Sequence, residues 1–153
     1  MNDQSRYHYT ECGLDNVWLV NGVERHDTPY GAGVSIVDVD GLHAAIGLRI
    51  ADRADQMAGA EFRFLRHELD LSQRTLGNLL GVDGQSIKRW ERKSNTSLDG
   101  PGPRLLAALY RESTTGDPDL SRSLEMLADL DAERHRQITL ARTATDEWTV
   151  CAA

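Results

Sequence analysis

The sequence predicts an α+β fold, mainly α, on three observations. Residues 71–93, LSQRTLGNLLGVDGQSIKRWERK, repeat apolar residues at helical spacing on both sides of a glycine. Near the front of the chain, β-favouring runs flank Asn21-Gly22, and Asn-Gly in that setting is a strong hairpin signal. Further on, Leu120, Leu124, Leu127 and Leu130 form one stripe of an amphipathic helix. These features divide the chain into a small β-rich unit plus helix at 1–58, a helical domain at 59–112, and a C-terminal helix and tail at 113–153.

In chain order, NVWLVNGVE carries Val17 and Leu19 before the Asn21-Gly22 turn, a loop follows at RHDTPYGAG, and VSIVDV returns as a strand. Two or three such strands make one small sheet that must pack on something else. DGLHAAIGLRIADRA reads as a helix, with Asp40 as its cap, Leu42, Ile46 and Ile50 at helical spacing, and Gly47 weakening it. AGAEFRFLRHELDL is a second helix, with Phe62, Leu65 and Leu69 on one face and Arg63, Arg66 and His67 elsewhere. After the central segment, SNTSLDGPGP is a loop and RLLAALYRE a short helix burying Leu105, Leu109 and Leu106. From Thr143 onward no pattern is evident, and fraying is expected.

Bulk properties narrow the class. The chain has 153 residues, 40% hydrophobic and 27% charged, as an ordinary globular domain does. No run of about 18 apolar residues is present to span a membrane. The first residues include Asp3 and Glu11 and lack the apolar stretch of a signal peptide. Cys12 and Cys151 stand far apart, so free thiols in a reducing, cytoplasmic setting are expected.

The central segment has a geometric logic. Counting from Gln73 as position one of a window ending at Arg92, Leu76, Leu80, Val82, Ile87 and Trp90 fall at positions 4, 8, 10, 15 and 18. Gly77 and Gly81 occupy positions 5 and 9. Two helices crossing at a steep angle need a tight turn, where Gly81 accepts positive φ, and a small residue where they touch, which Gly77 supplies. Ser72 and Asp83 stand where caps belong, and the five apolar residues face a shared core.

Charge singles out the same stretch. The net formal charge is −7, yet residues 59–93 hold seven Lys and Arg against five Asp and Glu. Lys88, Arg89, Arg92 and Lys93 supply most of this basic island, the footprint of a polyanion partner or else a solvated helix face.

On these residues the stretch resembles the helix-turn-helix of the Cro/repressor (XRE) family, including the ending Trp90-Glu91-Arg92. Lys93 stands where that family commonly has a closing glycine. The resemblance covers about residues 59–112, with Phe62–Leu69 as first helix and Arg104–Arg111 as closing one, and implies a five-helix Cro/repressor-like domain. It implies sequence-specific binding of double-stranded DNA, with helix 84–92 in the major groove and Gly84, Gln85, Ser86, Lys88 and Arg89 exposed near its start. Gln85 suits adenine, Arg89 guanine or phosphate, and Lys88 phosphate or guanine. Gly84 departs from the polar reader many relatives carry. Gln73 would bond the DNA backbone beside Arg74, as this residue commonly does in the family. Arg92 and Lys93 are candidate contacts too, although Glu91 is placed to engage one of them. The implied protein is a regulator, in the first instance a repressor, that binds an inverted repeat as a homodimer. The dimer would form through the Leu120–Leu130 stripe or the N-terminal sheet.

The first 58 residues, YHYTECGLDNVWLVNGVERHDTPYGAGVSI onward, resemble the front of proteins related to MqsA-type antitoxins. That likeness implies the alternative of an antitoxin that binds a basic toxin protein and represses its own operon. Those antitoxins hold zinc with two CxxC pairs, and this chain has none; Cys12 with His8, His26 and His43 matches no zinc spacing, so no metal is expected. GAGVSI lacks the glycines of a dinucleotide loop, and DVDG would place Arg49 where a calcium loop needs glutamate. No catalytic constellation and no cofactor motif is present, so an enzyme is not expected.

Overall fold

The computed structural model describes residues 6–116 and 140–150. The leucine stripe at 120–130 lies outside the described residues. The architecture is mixed α+β. Among the described residues there are five α-helices and three separate two-stranded antiparallel sheets. No helix among them is long and apolar enough to cross a membrane.

The front of the chain folds differently from the single sheet expected. Strand β1 (Tyr7–His8) pairs with β2 (Trp18–Leu19), and the His8 ring stacks on Trp18 across the pair at 4.1 Å. The hairpin is formed instead by β3 (Val23–Thr28) and β4 (Gly31–Ile36), with Pro29 and Tyr30 as its two-residue turn. Asn21-Gly22 is therefore not a hairpin turn. β2 is already paired with β1, and Gly22, at φ +73°, bends the chain from one pair into the next. RHDTPYGAG, expected as a loop, instead holds the paired ends of β3 and β4 with the Pro29-Tyr30 turn between them.

Helix α1 spans Val39–Asp52 and is capped by Asp38, whose side chain accepts from the Gly41 N–H at 3.0 Å. Asp40, expected as the cap, lies in the first turn. Asp38 wins because its left-handed backbone (φ 51°) turns the carboxylate back onto the free helix N–H groups. Gly47 is no flaw in this helix: it is buried, and a Cβ there would lie 2.2 Å from the Tyr110 ring.

Helix α2 spans Gly59–Glu68, α3 Gln73–Leu80, α4 Gly84–Arg92 and α5 Gly102–Thr115. Phe62, Leu65, Leu76, Ile87 and Leu106 form a fully buried centre, joined by Met57 and Pro103. Leu14, Ile50 and Ala51 belong to the same cluster, so one core spans both sides of residue 58. In α5 the inward residues are Leu106, Ala107 and Tyr110, while Leu105 is exposed. That corrects the expected burial of Leu105. The helix begins earlier than expected, at Gly102 after Pro101, and its inward face follows Leu106–Tyr110 at i, i+4.

The last described residues, expected to fray, form a hairpin of β5 (Leu140–Arg142) and β6 (Trp148–Val150). The connecting turn is closed by Thr143 N–H on the Glu147 carbonyl, and Asp146 adopts φ 62°, a left-handed position that aspartate tolerates.

Candidate nucleic-acid interface

The site is built on α3 and α4. Ser72 caps α3 by accepting from Thr75 N–H at 3.0 Å, and Asp83 caps α4 by accepting from Ser86 N–H at 2.7 Å. That Ser86 hydrogen bond, more than any charge nearby, holds the Asp83 carboxyl below the usual carboxylate range. Gly81 ends α3 at φ +74°, in the left-handed conformation that glycine adopts without penalty. A Cβ on Gly77 would lie 2.7 Å from the Val82 carbonyl oxygen, so the two helices meet backbone to side-chain-free backbone. Leu76 and Ile87 are fully buried beneath the crossing, with Leu80, Val82 and Trp90 half-buried around them. Trp90 meets the Phe62 ring edge-on at 5.8 Å.

The pair is locked to α2 by a buried ionic network. Arg66, expected off the Phe62–Leu65–Leu69 face of α2, is buried; its Nε donates to Glu91 Oε1 at 2.5 Å and its Nη2 to Oε2 at 3.1 Å. Its Nη1 donates to the Leu71 carbonyl at 2.9 Å. Gln73 Nε2 completes the set by donating to Glu91 Oε2 at 2.9 Å. Glu91 thus engages Arg66 and Gln73, not Arg92 or Lys93, because Glu91 follows Ile87 on the buried face while Arg92 and Lys93 are exposed. Every donor and acceptor of the buried pair is matched, the condition under which a buried ion pair is tolerated.

With Ile87 and Glu91 inward, helical spacing sets Gln85, Lys88, Arg89 and Arg92 along the opposite face, and all four are exposed. Arg89 Nη2 reaches Ser86 Oγ at 3.3 Å, so Ser86 steadies the arginine as well as meeting the Asp83 cap through its N–H. Gly84 opens α4 against α3: a Cβ there would sit 3.4 Å from Arg74 N and Cα, which brings Gln73, Arg74, Gly84 and Gln85 into one corner. Lys93 ends α4 without the left-handed turn a glycine would give; its carbonyl accepts from Gly59 N–H at 3.0 Å, so the start of α2 holds the end of α4.

Among the described residues, Arg74, Lys88, Arg92 and Lys93 form no ion pair, whereas Arg53, Arg66, Arg111 and Arg142 each meet a carboxylate. Of the nine expected contact residues, Arg74, Gln85, Lys88, Arg89, Arg92 and Lys93 are exposed, and Gly84 and Ser86 are half-buried at the start of α4. The ninth, Gln73, is half-buried with its amide nitrogen committed to Glu91, leaving its amide oxygen and backbone for other contacts. The pairing of Arg66 with Glu91 is not evident in the sequence, and it supports the site from behind.

A second cluster ties the front of the chain to the helices. Tyr9 is buried, its hydroxyl 2.9 Å from His43 Nε2, and His43 Nδ1 is 2.8 Å from Glu68 Oε1. Burial pushes the Tyr9 hydroxyl pKa up. His8 and His26 are engaged elsewhere, on the Asp15 carbonyl and on Ser35 Oγ. Cys12 is a half-buried free thiol whose pKa is raised by burial, a chemically quiet state. Among the described residues no group of three or more His, Cys, Asp or Glu side chains could hold a metal ion. A cavity of about 400 Å³ beside this cluster is lined by Cys12, His43, Arg63, His67, Glu68 and Glu91 among others.

No protein-family model, curated protein or solved structure matches the chain.

Proposed function

We propose that the protein is a sequence-specific DNA-binding transcriptional regulator of the Cro/repressor type, acting as a repressor. The observation that carries this reading is the outer face of α4, where Gln85, Lys88, Arg89 and Arg92 stand in line, exposed, backed by a core that fixes the helix. An exposed face with three cations and a planar amide suits a groove floored by base edges and walled by phosphates. Among the described residues Lys88 and Arg92 form no ion pair, on an otherwise acidic chain, which leaves them available to displace counterions. Under this reading α4 enters the major groove. Gln85 and Arg89 read bases, Lys88 and Arg92 bind phosphate or assist, and Arg74 and Lys93 grip the backbone at the two ends. Gln73 contributes its backbone N–H at the start of α3 while its side chain braces Glu91. One such helix pair reads a half-site, so two copies on an inverted repeat supply the full specificity.

The test is the salt dependence of duplex DNA binding by the full chain and by a Lys88→Ala/Arg89→Ala variant. The reading expects affinity to fall steeply with salt, and each phosphate contact removed to flatten the slope by about 0.9–1. A double variant that binds like the parent protein would exclude α4 as the reading helix.

A further inference from the structure

The β3–β4 hairpin offers one edge for pairing and guards the other. β3 carries four consecutive charged or titratable residues, Glu24, Arg25, His26 and Asp27, while β4 (Gly-Ala-Gly-Val-Ser-Ile) carries none. Charged side chains are the usual device that keeps a strand edge from pairing, and β4 lacks it. The Val37 N–H donates to the Gly22 carbonyl at 2.9 Å, which marks Gly22 and Val37 as a hydrogen-bonded pair. Alternation along an antiparallel ladder then assigns Ser35, Gly33 and Gly31 to the inner bonds. The N–H and C=O groups of Ala32, Val34 and Ile36 therefore point outward from the free edge, and the sheet has only two strands among the described residues. The same three side chains share one face with Val23, Arg25 and Asp27, and among the described residues none of the four apolar ones belongs to the core cluster or packs against it. A two-stranded hairpin is marginal by itself in water.

We propose that the outer edge of β4 pairs antiparallel with β4 of a second copy, giving a four-stranded sheet in the order β3, β4, partner β4, partner β3. The two-fold axis passes beside Val34, which faces Val34 of the partner subunit, while Ala32 faces the partner subunit's Ile36. The charge pattern selects this occupant. Only a second copy, joined edge to edge, leaves a charged β3 at both outer edges and closes the assembly at two chains. An unrelated strand would leave that symmetry unused. The proposal supplies the interface for the two-copy regulator argued above, and it stands on the hairpin alone.

The experiment is mass measurement of the full chain by light scattering across a dilution series, with Val34→Lys and Val34→Pro alongside. Val34 is 41% exposed, and its N–H is not used within the hairpin, so both variants retain the fold, checked by circular dichroism. The parent chain is expected at twice its 17.0 kDa mass and both variants at the single mass. A parent chain that is monomeric throughout overturns the proposal, and so does a dimer that persists in either variant. Binding to a single half-site duplex is measured separately. If it survives in the monomeric variants, the interface and the DNA reading are independent; if it is absent in all proteins while the dimer is present, the DNA reading alone fails.

Discussion

Arg66 and Glu91 each sit four residues beyond a fully buried side chain, Phe62 and Ile87, and so share its inward face. Helical spacing already carried that information, but residue type argued the other way, since charged side chains are almost never buried unless paired. Pairing is invisible in one chain until two helices are docked. Replacing Glu91 by Ala strands the Arg66 guanidinium and the Gln73 amide, and is expected to cost about 3–5 kcal/mol of unfolding free energy in urea. Arg66→Met with Glu91→Leu removes both charges and is expected to recover most of that loss. On the opposite face, Arg89→Ala is expected to cost about 1–3 kcal/mol of binding and to relax preference at one base pair. Equal loss on every sequence would identify Arg89 as a phosphate contact instead. His67 has its pKa lowered, by partial desolvation and by the Arg66 and Arg63 guanidiniums beside its ring. The unfolded chain then protonates first as pH falls below the ordinary histidine value of about 6.5, so stability decreases there and is unaffected above it. A His67→Gln variant is expected to show a smaller loss between pH 6.5 and 5 in thermal melts.

At the scale of elements, the helices were legible where glycine, caps and apolar spacing agreed. Gly77, Gly81, Ser72 and Asp83 all hold the positions their chemistry suggested. Gly77→Ala gains helix propensity of about 1 kcal/mol. Its methyl must still push aside the Val82 carbonyl, and overpacking of this kind costs about 1–3 kcal/mol, so a net destabilisation is expected. Gly84→Ala meets only ordinary contact distance from Arg74, and its stability is expected to match or exceed the parent's. A Gly77→Ala variant more stable than the parent would mean that the helices meet elsewhere. The strands were less legible. Asn21-Gly22 carries a hairpin signature, yet the turn formed at Pro29-Tyr30, because local turn chemistry is overruled by which strands find partners. At the tail, Leu140–Arg142 and Trp148–Val150 are too short for an alternating pattern to register.

Across the whole molecule, charge and packing separate two tasks. The core joins Leu14, Ile50 and Ala51 to the helices at 59–112, so the front of the chain steadies the helix pair rather than standing apart from it. That union was hidden in the sequence, because Tyr9, His43 and Glu68 meet across 59 positions of chain with no local signature. The acidity of the rest, against the basic 59–93 stretch, would leave one surface able to approach a polyanion. The proposed DNA-reading role of α4 is best checked by selecting binding sites from random duplex DNA with the purified full chain. The expected result is one enriched inverted repeat, with half-sites about 10–10.5 base pairs apart or a multiple of that. Recovery of no preferred sequence, together with binding that ignores salt, would contradict it.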